Sequence, residues 1–112
     1  MPTTPVTADN LGDRMFEAAK TSLGSKFILI KHFLEGESEK LAITLQMIMQ
    51  ASASDEISPA EAKILMNQQK VATTAVLSAA EGMTAVAVQA AIDAALNVVK
   101  DFVNGKVGFA LL

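Results

Sequence analysis

The chain has 112 residues, enough for one domain with a core of its own. Its net charge of −3 leaves no electrostatic footprint for nucleic acid, and the absence of cysteine excludes disulfides and thiolate chemistry. Half of the residues are hydrophobic and mean hydropathy is +0.36, yet there is no Trp or Tyr and alanine supplies the excess with 19 copies.

Residues 1–9, "MPTTPVTAD", hold two of the three prolines and read as an extended arm. The opening residues lack the basic and apolar runs of a signal peptide, so the expected location is cytoplasmic on synthesis, with any export independent of a cleaved signal. Thr7 or Asp9 is positioned to cap the first helix. Leu11, Met15, Ala19, Leu23, Phe27, Ile30 and Leu34 then recur every three or four residues, the stripe of an amphipathic helix. The pattern resumes after Gly36 with Leu41, Leu45, Ile48 and Met49, so the first helical arm covers residues 10–53 with Gly36 as its weak point. Lys20, Lys26, Lys31, Glu35 and Lys40 are spread along it and suit a wet outer surface.

Residues 54–57 form the turn, with Asp55 and Glu56 just ahead of a helix start, where the macrodipole favours acids. The sharpest local signal in the chain adjoins it. Ser58 is an N-cap, Pro59 takes the first helical position and Glu61 completes a capping box. The second arm spans residues 58–104, with Asn104-Gly105 expected to provide a left-handed cap and residues 105–112 a tail.

The two arms are of nearly equal length. Folded about the turn they predict an all-α chain built as a long antiparallel hairpin, each arm of ~45 residues reaching roughly 68 Å. The alternative is a compact four-helix bundle broken at Gly36 and Gly82, glycines that do not face each other across the hairpin.

Along the second arm, polar residues from Asn67 to Asn104 recur about every 3.7 positions, a spacing suited to nearly straight helices. Between Val71 and Lys100 that polar stripe is about one residue wide. A lone hairpin would leave a large apolar surface exposed. Small residues at four-residue spacing let helix backbones approach closely, and they mark Ala75, Ala79, Gly82, Ala87, Ala91 and Ala95 as a candidate assembly interface.

Val71 to Val99 is long enough to cross a bilayer but too polar for ordinary insertion, since a central acid such as Asp93 costs ~3 kcal/mol. Candidate chemistry is sparse. His32 stands alone as a metal ligand, Glu35 and Glu39 share a helix face while Glu37 points away, and "GESEK" reads as solvated surface. Met47, Met49 and Met66 gather near the turn as flexible core filling. No phosphate loop or nucleophile set is present, so neither an enzyme activity nor a cofactor or metal is expected.

In general plan the chain resembles the small helical-hairpin subunits that bacteria stack into secretion needles and rods, which combine a flexible N-terminal arm, a tight turn and apolar helices. The resemblance is one of architecture and implies a structural subunit whose partners are copies of itself, assembled as a filament, tube, ribbon or ring. The alternative function is a membrane-active hairpin that makes pores.

Overall fold

The computed structural model describes residues 5–112, and the first part of the expected extended arm lies outside them. The chain is all-α, as expected, with no strand among the described residues. Its four helices are α1 (Leu11–Leu23), α2 (Phe27–Ala53), α3 (Pro59–Ser78) and α4 (Ala85–Val107). The hairpin does turn between α2 and α3, but each arm then folds back on itself. A body of 42 × 35 × 19 Å replaces two arms of roughly 68 Å. The arrangement is therefore the compact four-helix one.

At the N-terminal side, Asn10 organises the chain. Its Oδ1 accepts from the Thr7 N–H at 2.8 Å and its Nδ2 donates to the Pro5 carbonyl at 2.9 Å, closing a short 3-10 turn, Ala8–Asn10, that leads into α1. Leu11, Met15, Ala19 and Leu23 form the buried stripe of α1, one residue per turn.

The first arm breaks at Gly24, not at Gly36. Gly24 has φ +58° and ψ −127°, and a Cβ there would meet nothing within 4 Å, so glycine is favoured there by backbone conformation alone. Phe16 and Phe27 close the reversal edge to face, 5.6 Å between centroids, and the Lys20 ammonium lies 5.1 Å over the Phe27 ring. Gly12 lies where α1 packs on α2, and a Cβ on it would stand in ordinary van der Waals contact, 3.5 Å, with the Ala42 Cβ. Gly36 stays helical on an open part of α2.

Between α2 and α3 the capping box forms as the sequence specifies. Ser58 Oγ accepts from the Glu61 N–H at 3.1 Å, and the Glu61 carboxylate accepts from the Ser58 N–H at 2.9 Å. The second arm breaks over residues 79–84, where Gly82 has φ +86° and Thr84 caps α4 by accepting from the Ala87 N–H at 3.1 Å. The end of α4 also differs from expectation. Asn104 and Gly105 are helical, and Gly108, with φ +82°, is the left-handed cap. The Asn104 side chain instead holds the tail, its Oδ1 accepting from the Leu111 and Leu112 N–H groups at 3.0 Å each.

Around the bundle the order is α1, α2, α3, α4: α1 packs on α2 and α4, α3 packs on α2 and α4, and α2 meets α4 across the middle. The groove between α1 and α2 is therefore on the opposite side from the groove between α3 and α4. The core runs through all four helices, with Leu11, Met15, Leu45, Ala62, Val88, Ala91, Val99 and Val103 fully buried.

Candidate assembly surfaces

The six small residues do not lie together on an outer face. Ala91 and Ala95 are 0% and 3% exposed, inside the bundle, where they share its middle layer with Ala19 of α1. Ala87 is partly buried beside them, whereas Ala75, Ala79 and Gly82 are exposed. The reason is the fold-back at Gly24, which supplies α4 with an intramolecular partner along its small-residue stripe. Close backbone approach is used, but within one molecule.

The middle of the bundle also takes in polar groups that the sequence placed in solvent. Glu37 and Ser38 are each 4% exposed, and Glu37 pairs with Lys40 at 2.9 Å on the outside of the layer. Thr73, likewise buried, accepts from Gln69 Nε2 at 3.2 Å, and Gln69 Oε1 accepts from Thr44 at 3.3 Å, tying α3 to α2. His32 is exposed on α2. Among the described residues, no three acidic or histidine side chains come close enough to hold a metal ion, and no helix is long and apolar enough to cross a membrane.

The large apolar side chains left outside are concentrated on two helices. Ile28, Leu29, Phe33, Ile43 and Met47 of α2 are exposed, as are Ile64, Leu65 and Val71 of α3; α4 adds Val86 and α1 adds none. Leu29, Phe33 and Met47 lie on the edge of α2 toward α3, at helical spacing. Met47 and Leu65 line a groove of about 450 Å³ between the two helices, together with Ala51, Ile57 and the glutamines Gln68 and Gln69. At the other end of this edge, Leu29 stands against the 79–84 loop, 3.1 Å from where a Cβ on Gly82 would be.

The two flanking grooves are charged, and oppositely. Between α1 and α2, Asp9, Asp13, Glu35 and Glu39 line a groove of about 530 Å³ whose apolar part is Phe16, Ala42 and Ile43, with no cation in the lining. Between α3 and α4, Lys63, Lys70 and Lys100 line a cleft of about 430 Å³ with Met66 and Leu96, and Asp93 is its one side-chain carboxylate. Helical spacing explains the rows: Lys63, Asn67 and Lys70 recur at four and three residues, and so do Asp93, Asn97 and Lys100. The three lysines and four acids form no ion pair among the described residues. Asp93 accepts a hydrogen bond from Gln89 at 2.9 Å.

No protein-family model, curated protein or solved structure matches this chain.

Proposed function

We propose that the chain is a structural subunit that associates with copies of itself, using the exposed apolar edge of α2 and α3. The observation that carries the reading is the concentration of large exposed side chains on those two helices, Phe33 at 54% and Met47 at 64% exposure among them. Large apolar side chains left exposed in this number mark sites of protein or membrane contact. Copies of the chain are the partner favoured here because the edge includes an open groove beside its own protruding methionine and leucine, so that two such edges can interdigitate.

The test is molar mass by light scattering over a concentration series reaching the micromolar range. The unmodified chain is expected above its monomer mass of 11.8 kDa. Met47→Lys together with Leu65→Lys should lower that mass while leaving helical circular dichroism unchanged. A monomer at every concentration overturns the reading. Leakage of dye-loaded vesicles without any association in lipid-free buffer replaces it with the membrane-active one.

A further inference from the structure

The two charged grooves lie on opposite sides of one bundle and have opposite signs, although the molecule as a whole carries −3. A chain that simply needed solubility would intersperse its charges. Here four carboxylates border one concavity without a cation, and three ammonium groups border the other against a single side-chain carboxylate. The carboxylates do not converge as they would around a metal ion. Each groove also has a partly exposed apolar component, Phe16 and Ile43 on one side and Leu111 and Leu112 on the other, which supplies contact area once the charges have met.

We propose that the basic α3–α4 cleft of one copy docks on the acidic α1–α2 groove of the next. This rests on the self-association reading above and adds to it a second, directional contact. Because the two patches differ, the contact is heterologous. Each copy keeps an unused acidic groove at one side and an unused basic cleft at the other, so copies add in series into an open filament or, if the rotation closes, a ring. The apolar edge of α2 and α3 lies between the two charged faces and stays free to join neighbouring rows. Charge complementarity sets the order of subunits and speeds their encounter, with the apolar edge contributing most of the buried area.

Salt separates the two contacts, because screening shortens the reach of exposed charges from ~30 Å at 0.01 M to ~3 Å at 1 M while leaving apolar burial in place. The mass of the unmodified protein should fall between those limits to that of the species held by the apolar edge alone. The decisive experiment is a pair of charge reversals. One variant carries Lys63→Glu, Lys70→Glu and Lys100→Glu, so that both faces are acidic; the other carries Asp13→Lys, Glu35→Lys and Glu39→Lys, so that both are basic. Each alone should lose the salt-sensitive assembly, and an equimolar mixture should regain it as alternating copies. If either set disturbs helical circular dichroism, the single changes Lys70→Glu and Glu35→Lys give the same mixing test with a smaller loss. Unmodified protein that associates equally at both salt limits, or a mixture that does not recover, overturns the docking but leaves the apolar edge standing. A monomer at every salt concentration overturns both.

Discussion

α2 and α4 are about equally apolar on average, yet they use that character in different ways. α4 turns Val88, Ile92, Leu96, Val99 and Val103 inward and sets Ala91 and Ala95 in the middle layer beside Ala19. α2 buries a comparable row, Ile30, Leu34, Leu41, Leu45 and Ile48, but leaves five further large side chains outside. Most of the apolar excess of α4 is alanine, which a helix buries or exposes at little cost. In α2 the excess is Ile, Leu, Phe and Met, each worth roughly 1.5–3 kcal/mol if fully buried. Apolar composition therefore does not say where an unpartnered surface is; the size and angular placement of the side chains do.

The sharpest way to probe this contrast is within α2 itself. Leu45 is fully buried and Met47, two residues on, is exposed. Leu45→Ala should destabilise the fold by ~2–5 kcal/mol through lost burial and a cavity. Met47→Ala should change stability by no more than ~0.5 kcal/mol and instead weaken association. Urea unfolding of both variants, followed by circular dichroism, gives the comparison directly. If Met47→Ala proves as costly as Leu45→Ala, α2 has no free face.

The corresponding change in α4 is Ala91→Leu. It keeps helix propensity almost unchanged but forces three extra carbons into a fully buried position, at a cost of ~1–3 kcal/mol. The thermal midpoint should fall, and the folded fraction should associate as before. An unchanged midpoint would mean that α1 and α4 are not in close contact.

Two glycines offer a smaller contrast, one at a reversal and one within a helix. Gly24→Ala should cost ~1–3 kcal/mol because φ +58° with ψ −127° lies outside even the left-handed helical region, whereas Gly36→Ala should stabilise by ~1 kcal/mol in an open helical position. Opposite signs in chemical denaturation are the expected result, and equal signs would put the reversal elsewhere.

The smallest effects belong to the cap. Ser58→Ala should cost ~1 kcal/mol. The Ser58 N–H, donating to the Glu61 carboxylate, holds that group below its usual value of 4.5, with the Ser58 hydroxyl lowering it further. A depressed carboxylate contributes stability that is present above its unfolded value and lost as pH falls through its folded one. Glu61→Gln should therefore lower the thermal midpoint at neutral pH, with the gap to the unmodified protein closing as pH falls below about 4.5, so that the acid side of the profile is flatter.

Features written in short runs of sequence are legible without the fold. The cap at Ser58, Pro59 and Glu61 involves groups three residues apart, and the buried stripe of α1 repeats at one residue per turn, so both result from local chemistry and helical period. The all-α class has the same origin. Other features were decided by residues far apart in the chain. Gly24 and Gly36 look alike in sequence, and the tertiary structure, with Phe16 packed against Phe27 across the turn, has the first as the reversal. That reversal brings α1 onto α4, and so turns Ala91 and Ala95 from a candidate outer interface into core, while Ala75 and Ala79 stay exposed. It likewise buries Glu37 within a stretch whose composition suggests solvent. The opposed charged grooves are least local of all. Each combines two helices, and their placement on opposite sides exists only once four helices are arranged around one core, because a groove's sign is a sum over side chains that sequence order does not bring together.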